Sequence, residues 1–387
     1  MKPLRILHVF ASLDRGGAET MIMNMYRKID REQIQLDFVV VKRDKEYAYE
    51  EEIKSLGGRI FPLPRYALHK TFSYRKAWRQ LLINHPEWQI LHVHHASVLF
   101  AYCSIAKSLG RKIIAHSHNS GDDTVKAFAK KFTQFSVRYK ADYLFACSHI
   151  AAKWMFGKYS DKARIIKNAI DCGLFDFSDE KRAIKRQELN LNDKFVIGHV
   201  GSFRMQKNHA FVVDVFAQIK KYIPNATLLF VGDGELKQSI QTLVQKMNLS
   251  DVVFLGVCPD IPELLCAMDV FLFPSISEGF GIAILEAQAT GLPCVVSNAI
   301  SDEVMVTDLV KSLSLRDSLE KWVASITAFR NGESRISHVE KIKNAGYDVI
   351  DEVKKLTDFY VTLASCSATS ADDSRTAQSA FYSGECK

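Results

Sequence analysis

Short apolar runs alternate with longer amphipathic segments along most of the chain, and this alternation limits the possible folds more than any other feature. Apolar runs of about four to eight residues between turn residues predict buried strands, and the longer patterns between them predict the crossover helices of a parallel sheet. A charged stretch at residues 179–188 separates two series of such runs. The first series comprises Ile6–Phe10, Leu36–Val41, Ile60–Pro62, Ile90–Val93, Lys112–Ala115 and Tyr143–Ala146, and the second comprises Val196–Val200, Thr227–Val231, Val252–Leu255, Val270–Phe273 and Cys294–Ser297.

Two strand series in a chain of 387 residues predict two domains rather than one core. The predicted fold class is α/β, with two doubly wound, Rossmann-like domains and a ligand cleft at the carboxyl ends of their strands. The predicted boundaries place an N-terminal domain at residues 1–170, a linker at 171–190 and a C-terminal domain at 191–345. We expect a helix over residues 346–363 to pack back on the first domain, and the Ser-, Ala- and Thr-rich residues 364–387 to form a disordered tail.

The charge and the cysteine content narrow the classes of partner. Lys and Arg (51) exceed Asp and Glu (44), and the net charge of +7 suits anionic ligands or an anionic membrane surface but is too small to predict nucleic-acid binding. The eight cysteines form no CxxC pair and no cluster with metal-ligand spacing, which indicates a reducing, cytoplasmic location. No apolar run approaches the ~20 residues of a membrane span, so we expect a soluble protein or one that binds peripherally to the inner face of a membrane.

Two carboxylates, Glu278 and Glu286, flank the start of one predicted helix. Glu278 precedes a glycine-rich turn, and Glu286 lies about two turns into the helix that follows. Backbone N–H groups at a helix start bind anions, and carboxylates accept hydrogen bonds from hydroxyl groups. The arrangement therefore predicts a site for a phosphorylated ligand that carries hydroxyls on both sides of its phosphate.

A second candidate is the loop that begins at Gly201, after the first strand of the second series. Arg204 and Lys207 place two cations three residues apart in this loop, where they could neutralise the charge on a departing diphosphate. The alternative interpretation is a pair of solvated surface cations. The nearby segment Val231–Leu236 lacks the third glycine of a dinucleotide fingerprint, so no nicotinamide cofactor is expected.

Loops of the first series also carry candidate residues. Gly16 and Gly17 join the first strand to a helix and would let a ligand approach the backbone, although the same glycines suit an ordinary tight turn. His116 and His118 alternate along one strand, so both can face a cleft. Without a third ligand nearby they make a poor metal site, and a hydrogen-bonded histidine pair is the alternative. The histidines around His94 are interpreted as structural.

The segment Thr124–Lys140 combines phenylalanines at helical spacing with basic residues. A helix of this composition can lie on an anionic membrane. Alternatively, it can bury its phenylalanine stripe in the core of its own domain, as most amphipathic helices do. Both interpretations stay open at the level of sequence.

Together these segments resemble the GT-B glycosyltransferases, and specifically the retaining glycosyltransferase family 4, over nearly the whole chain up to about Leu363. The most specific element is the Glu-x7-Glu motif formed by Glu278 and Glu286. The segments Ala115–Asn119 and Gln206–His209 are most similar to bacterial capsular and exopolysaccharide glycosyltransferases. The resemblance implies a GT-B fold, in which two Rossmann-like domains face each other across a cleft.

The resemblance also implies roles for individual residues. Glu286 would bind the ribose hydroxyls of the donor nucleotide, Glu278 would lie beside the transferred sugar, and Lys207 would bind the diphosphate. Arg204 would replace the arginine that the family often has at the position of Ser202. The implied catalytic residues are Glu278, His118 and Lys207, with His118 directed at the donor sugar, and the implied substrate-binding residues are Gly16, Gly17, Asn168, Gly201, Arg204, Gly279, Phe280, Gly281 and Glu286.

The activity that the resemblance implies is transfer of a sugar from a nucleotide diphosphate sugar, a UDP-sugar, to an acceptor hydroxyl with retention at the anomeric carbon. The expected acceptor is a lipid-linked oligosaccharide or other glycan of capsular or exopolysaccharide biosynthesis. The departing diphosphate would help to deprotonate the acceptor, so no protein nucleophile is expected. Because the lysine and the helix dipole can replace a divalent ion, no metal or other cofactor is expected either. Two alternatives stay open: an enzyme similar to UDP-N-acetylglucosamine 2-epimerase, and a protein that binds a nucleotide sugar without turnover.

Overall fold

The structure, a computed structural model, describes most of the chain: residues 2–118, 137–278, 280–331 and 335–369. Most of the segment Thr124–Lys140 lies outside the described residues, as do Gly279 and residues 370–387. Among the described residues no helix combines the length and the apolar character needed to cross a membrane. The chain divides into unit 1 (residues 1–168 and 349–387) and unit 2 (residues 169–348).

Unit 1 contains a seven-stranded parallel sheet with the strand order β3-β2-β1-β4-β5-β6-β7. The order reverses between β1 and β4, and in doubly wound folds ligands bind at the carboxyl ends of the strands beside such a point. The strands are β1 (Leu4–Val9), β2 (Ile34–Val41), β3 (Ile60–Leu63), β4 (Ile90–Val93), β5 (Lys112–Ser117), β6 (Tyr143–Ala146) and β7 (Arg164–Ile165). The helices are α1 (Gly17–Lys28), α2 (Glu50–Ser55), α3 (Thr71–Asn84), α4 (Leu99–Ser108), α5 (His149–Phe156) and, at the end of the chain, α13 (Val349–Thr369).

Helix α13 belongs to unit 1 although it follows unit 2 in the sequence. Phe359 and Tyr360 are buried, with their rings against aromatic residues of the unit 1 sheet. The buried carboxylate of Glu352 accepts a hydrogen bond of 3.0 Å from the backbone N–H of Lys167. The helix thus completes the core of unit 1.

The carboxylate of Asp37, in the middle of β2, is fully buried and links neighbouring segments of unit 1. It accepts hydrogen bonds from Arg5 at 2.6 and 2.7 Å, from Arg59 at 2.6 Å and from the indole N–H of Trp88 at 2.7 Å. Burial alone would raise the pKa of this carboxyl, but the hydrogen bonds outweigh burial and lower the pKa to about 2. Asp37 is therefore ionised at neutral pH and paired with two cations.

Unit 2 contains a six-stranded parallel sheet with the order β10-β9-β8-β11-β12-β13, which reverses between β8 and β11. Successive residues of β8 point to opposite faces of the sheet. Val196 packs in one apolar core and Ile197 packs in another, so both faces of the sheet are covered. The strands are β8 (Phe195–Val200), β9 (Ala226–Val231), β10 (Val252–Gly256), β11 (Val270–Phe273), β12 (Cys294–Ser297) and β13 (Val310–Leu313). The helices are α6 (Asp179–Glu188), α7 (His209–Tyr222), α8 (Lys237–Lys246), α9 (Ile261–Ala267), α10 (Ile282–Ala289), α11 (Leu319–Thr327) and α12 (Val339–Asn344).

Two boundaries differ from those predicted. Residues 171–190 are part of unit 2 rather than a linker, because the buried Arg186 of α6 donates to the carbonyl of Ala267 and to the carboxylate of Asp269. Helix α13 also continues through residues 364–369, which were assigned to a disordered tail. The small residues of this segment are compatible with a helix that tertiary packing has already established.

Candidate active site

Loops at the carboxyl ends of β8 and β11 bring Lys207 and Glu278 together in unit 2. The Nζ atom of Lys207 lies 2.6 Å from Oε1 of Glu278 and 4.4 Å from the centre of the Phe273 ring. Both charged side chains are largely shielded from water, with exposed fractions of 18% and 13%. Shielding strengthens the attraction between the charges, and the face of an aromatic ring also attracts an ammonium group. The strand-order reversal of unit 2 thus holds a cation and a carboxylate in contact.

Glycines allow the loop backbones around Lys207 to pack closely. A Cβ atom on Gly201 would lie 3.3 Å from Cδ and Cε of Lys207, so the lysine stem lies directly against the glycine. A Cβ atom on Gly232, where φ is 135°, would lie 2.1 Å from the carbonyl oxygen of Gly201. A Cβ atom on Gly234 would lie 2.8 Å from the backbone of Phe203. The two glycines that partly resemble a dinucleotide fingerprint are therefore required by backbone packing.

Two hydrogen bonds tie the β8 loop to the β11 loop. The side-chain amide of Asn208 donates to the carbonyl of Pro274 at 3.1 Å. In the other direction, the N–H of Ile276 donates to the carbonyl of Gln206 at 2.7 Å. Asn208 adopts a positive φ of 56°, a conformation that asparagine tolerates better than most residues. These contacts fix the positions of the cationic and the acidic loop relative to each other.

The second carboxylate of the motif, Glu286, lies on α10 and is partly buried. Burial raises the pKa of its carboxyl to about 7, so the protonated and the ionised forms are both populated near neutral pH. Helix α10 begins after Gly281, where φ is 88° and glycine is favoured. Phe280 is buried, and Gly279 lies outside the described residues.

The other predicted residues of this region differ in accessibility. Arg204 is exposed and makes no side-chain hydrogen bond or ion pair with the described residues. Asn168 is buried, and its Oδ1 atom has no hydrogen-bond partner within the described part of the chain. Asn168 ends unit 1 and Ala169 begins unit 2. Because Arg204 is exposed and has no partner among the described residues, its guanidinium is available to a ligand.

In unit 1 the loop between β1 and α1 carries Gly16 and Gly17. Gly16 caps α1, and a Cβ atom there would lie 2.3 Å from a carboxylate oxygen of Glu19. A Cβ atom on Gly17 would meet nothing within 4 Å. The loop is braced by an ion pair between Asp14 and Arg43, with contacts of 2.5 and 2.7 Å. The contact at Gly16 is with the flexible end of a side chain, so packing requires glycine at neither position.

Five histidines gather at β1, β4 and β5 of unit 1: His8, His92, His94, His116 and His118. His94 lies between His8 and His118, with nitrogen–nitrogen distances of 3.0 and 2.7 Å. His92 pairs with His116 at 3.0 Å. Neighbouring ring centroids are 4.1 to 5.2 Å apart. Sequence reasoning placed only His116 and His118 here and left the other three out of the site.

The histidine cluster also changes the argument about metals. Ring nitrogens of His94, His116 and His118 lie within 4.8 Å of one another, as do those of His8, His92 and His94. His116 and His118 were predicted to make a poor metal site for lack of a third ligand, but His94, directly after β4, lies close enough to be one. Six of the ring nitrogens are, however, already paired with one another by hydrogen bonds, whereas Nε2 of His116 and Nδ1 of His118 have no partner among the described residues.

Comparisons with known proteins agree with this architecture. The family descriptions Glycosyltransferase Family 4 and Glycosyl transferases group 1 match residues 15–174 and 180–348 respectively. EpsF of Bacillus subtilis (strain 168), which carries the name of a glycosyltransferase, is 33% identical over 372 residues, covering 92% of this chain and 96% of EpsF. The UDP-Gal:alpha-D-GlcNAc-diphosphoundecaprenol alpha-1,3-galactosyltransferase of Escherichia coli is 27% identical over 396 residues, covering 93% of this chain and 97% of that enzyme.

The fold has a close structural relative as well. A crystal structure of Anabaena HepE in complex with UDP and glucose has a TM-score of 0.77 at 18% identity, covering 94% of this chain and 100% of HepE. This likeness confirms the predicted fold class, two Rossmann-like sheets of the GT-B type. The identity to EpsF extends over nearly the whole chain and confirms the predicted family. The chain therefore belongs to the family 4, group 1 glycosyltransferases, enzymes that transfer a sugar from a nucleotide sugar.

Proposed function

We propose that this protein transfers a sugar from a UDP-sugar to an acceptor hydroxyl with retention at the anomeric carbon. The observation that carries the proposal is the shielded pair of Lys207 and Glu278 at the strand-order reversal of unit 2. When a donor binds, the Lys207 ammonium exchanges its carboxylate partner for the diphosphate, and Glu278 is released to lie beside the sugar. A cation held in place by packed loops stabilises the charge that develops on the leaving diphosphate.

The chemistry can then proceed on one face of the sugar. The bond between the anomeric carbon and the diphosphate oxygen breaks while the acceptor oxygen bonds to the same carbon. The departing diphosphate takes the acceptor proton, so no protein nucleophile forms. Glu278 stabilises positive charge on the sugar, while Arg204 and the backbone N–H groups of the two loops assist Lys207.

The remaining predicted residues act in binding, except for His118, which has a catalytic role. Glu286 accepts hydrogen bonds from the ribose hydroxyls, because an ionised carboxylate can accept two. On unit 1, His118 acts toward the donor sugar, and the Gly17 region approaches the diphosphate or the acceptor. The other proposed backbone contacts are at Gly16, Asn168, Gly201, Gly279, Phe280 and Gly281.

A donor panel tests this proposal. Purified protein is incubated with UDP-, GDP- and ADP-sugars and a sugar-diphosphate-polyprenol acceptor, and released nucleotide and product are measured. We expect acceptor-dependent release of UDP from a UDP-sugar and an anomeric configuration in the product that matches the donor. No turnover across the whole panel would refute the proposal, and epimerised donor in the absence of acceptor would establish the epimerase alternative instead.

The pH dependence of the same assay tests the role of Glu286. Because burial raises the pKa of Glu286 to about 7, this carboxyl is mostly protonated at pH 6 and mostly ionised at pH 8. The KM for the UDP-sugar should therefore be up to about tenfold higher at pH 6 than at pH 8. Glu286→Gln should raise the KM at pH 8 and abolish its pH dependence. An equally steep pH dependence in the variant would exclude Glu286 as the titrating group.

A basic surface of unit 1 supports the proposal that the acceptor is embedded in a membrane. Residues 58–86 contain six Lys and Arg residues and no Asp or Glu. Leu68 and Phe72 are 82% and 94% exposed. Leu68, Phe72, Lys76 and Arg79 follow one another at helical spacing, and the exposed Arg65 and Lys70 lie next to them in the sequence. We call this set the basic face: Arg65, Leu68, Lys70, Phe72, Lys76 and Arg79.

The cations of the basic face have no ion-pair partners among the described residues. Each lysine or arginine near an anionic leaflet contributes about 1 kcal/mol to binding. Burial of a phenylalanine or leucine in the interfacial region adds about 1.5–3 kcal/mol. We therefore propose that the basic face docks on anionic phospholipid at the cytoplasmic membrane, where a lipid-linked acceptor would be found. The E. coli relative, by its name, acts on a diphosphoundecaprenol-linked sugar.

Vesicle co-sedimentation tests the basic face. The protein should bind vesicles rich in phosphatidylglycerol, bind phosphatidylcholine vesicles much more weakly, and dissociate as the salt concentration rises. The double variant Leu68→Ser/Phe72→Ser should lower the affinity for anionic vesicles about tenfold or more. Tyr222→Ser is the matched control, because Tyr222 is 69% exposed beside two lysines of unit 2 but lies outside the basic face. Equal binding by the double variant and the wild type would refute this docking surface.

A further inference from the structure

A continuous path of hydrogen bonds joins the five histidines of unit 1 through one tyrosine. The hydroxyl of Tyr360 lies 2.5 Å from Nδ1 of His92 and 3.4 Å from Nε2 of His8. From His8 the path continues through Nδ1 to Nε2 of His94, and from Nδ1 of His94 to Nε2 of His118. From His92 it continues through Nε2 to Nδ1 of His116. The two ends of the path, Nδ1 of His118 and Nε2 of His116, have no hydrogen-bond partner within the described residues.

The supply of protons constrains this path. A neutral imidazole carries one N–H group and one bare nitrogen, and a tyrosine hydroxyl donates once. The five rings and the hydroxyl therefore supply six protons to a path of five hydrogen bonds. If every hydrogen bond is made, one proton remains for one of the two ends. The protonation of one end then determines that of the other.

Burial keeps the rings neutral, as this count requires. The pKa of His8 and that of His118 are lowered to about 3, chiefly because the charged form would be desolvated. The pKa values of His92, His94 and His116 are lowered well below the ordinary value for the same reason. Burial also raises the pKa of Tyr360, so its hydroxyl keeps its proton.

We propose that His8, His92, His94 and Tyr360 form a tautomer relay that sets which form of His118 meets the donor sugar. This inference rests on the role of His118 in the proposed function. In one state of the relay all five histidines carry the proton on Nδ1, and in the other all five carry it on Nε2. His118 therefore offers either an N–H donor or a bare acceptor nitrogen at Nδ1, and His116, Tyr360 and the intervening rings decide which. Tyr360 is a positioning residue in this scheme, because it acts on His118 only through its neighbours.

Donors and acceptors alternate along the path, and this explains why all five rings must carry the proton on the same nitrogen. Each ring uses its two nitrogens for two different neighbours, so a ring that donates on one side must accept on the other. Tyr360 preserves the direction because its oxygen accepts from one histidine and its proton goes to the other. A single reversed ring would place two N–H groups, or two bare nitrogens, face to face and would leave one hydrogen bond of the path unmade.

Nitrogen NMR of the histidine rings tests the relay without any substrate. The full-length protein is labelled with ¹⁵N-histidine, and the signals of the five rings are assigned from single His→Gln variants. The wild type should show one common tautomer for all five rings. Mixed tautomers in the wild type, with Nε2–H on His118 and Nδ1–H on His116 for example, would overturn the proposal. Stoichiometric zinc in the purified protein would overturn it too, because the ring nitrogens would then be metal ligands.

Tyr360→Phe tests the coupling and has a matched control. The variant keeps the ring and removes only the hydroxyl, so the two halves of the path are disconnected, and the tautomer populations of His118 should change. Tyr102→Phe removes an equally buried hydroxyl of unit 1, which has no hydrogen-bond partner in the described structure. It should leave the histidine signals unchanged. Unchanged ring nitrogens of His118 in Tyr360→Phe would refute the relay.

Kinetics separate this proposal from the proposed function. Tyr360→Phe should lower kcat several-fold with little change in the KM for the donor, whereas Tyr102→Phe should change neither. A protein without transferase activity would refute the proposed function, and the NMR result would still decide whether the relay exists. An active enzyme whose kcat is the same in Tyr360→Phe and in the wild type would show that the relay does not set the working form of His118.

Discussion

Lys207→Ala is expected to lower kcat/KM for sugar transfer by about 10²–10³-fold while the protein stays folded. The substitution removes the cation that faces the leaving diphosphate in the proposed function and that lies 2.6 Å from Glu278 in the shielded site. Rates of UDP release at several donor concentrations would give the change in kcat/KM, and thermal unfolding would report on the fold. Lys221→Ala is the matched control, because Lys221 is an exposed lysine on α7 whose Nζ contacts only Gln218 of the same helix.

The double variant Lys207→Ala/Glu278→Gln separates two causes of that loss. Lys207→Ala alone leaves the shielded Glu278 carboxylate without its cation, and an unpaired charge can by itself disturb the loop. Glu278 itself acts on the sugar in the proposed function, so the readout for the double variant is the affinity for UDP and not turnover. If this disturbance caused the loss, the neutral glutamine would restore much of the affinity for UDP. We expect no restoration, because the missing contact is to the diphosphate. A decrease of less than threefold in Lys207→Ala would contradict the role assigned to this lysine.

Asp37→Ala is expected to destabilise unit 1 by about 3–5 kcal/mol. Asp37 is fully buried and binds Arg5, Arg59 and the indole of Trp88. Its removal leaves the Arg5 guanidinium without a carboxylate and the indole N–H without an acceptor among the described residues, whereas Arg59 keeps its contact with Glu87. Urea unfolding followed by tryptophan fluorescence measures the change, since three of the four tryptophans, Trp78, Trp88 and Trp154, lie in unit 1. Asp308→Ala is the control and should change stability little, because the ion pair of Asp308 with Lys341 is exposed.

The stabilisation by Asp37 should also depend on pH. Its pKa in the folded protein, about 2, lies below the value of ~3.9 for an unfolded chain. The contribution is therefore fully present above about pH 5 and decreases as the pH falls toward 2. The wild type should lose stability over this range more steeply than Asp37→Ala does. Parallel stability curves for the two proteins would show that Asp37 is not the group responsible.

Much of the fold could be predicted because buried parallel strands are nearly continuous apolar runs. Every predicted run overlaps a strand of one of the two sheets, and only Phe10 falls outside its strand, whereas β7 and β13 escaped prediction. β7 has only two residues, and β13 (Val-Lys-Ser-Leu) lies at a sheet edge, where Lys311 and Ser312 are exposed. Neither sequence resembles a buried strand.

The two halves of the candidate site differed in how well they could be predicted. Lys207 and Glu278 stand in loops with recognisable motifs, and their contact follows once β8 and β11 are neighbours. The histidine path depends on strand order and register instead. His8 faces His92 because β1 pairs with β4, an adjacency that no local pattern in the sequence reveals. The sequence therefore predicted both members of the ion pair without predicting their contact, and it did not predict the hydrogen-bonded path across three strands.

The position of α13 has a consequence for biosynthesis. Unit 2 is a single continuous stretch, whereas unit 1 is interrupted by all of unit 2 and is completed by the helix that carries Glu352 and Tyr360. A ribosome must therefore translate the whole of unit 2 before it delivers the helix that covers the first sheet. Until then His8 and His92 lack the hydroxyl that joins them. The domain translated first is in this sense the last one to finish folding.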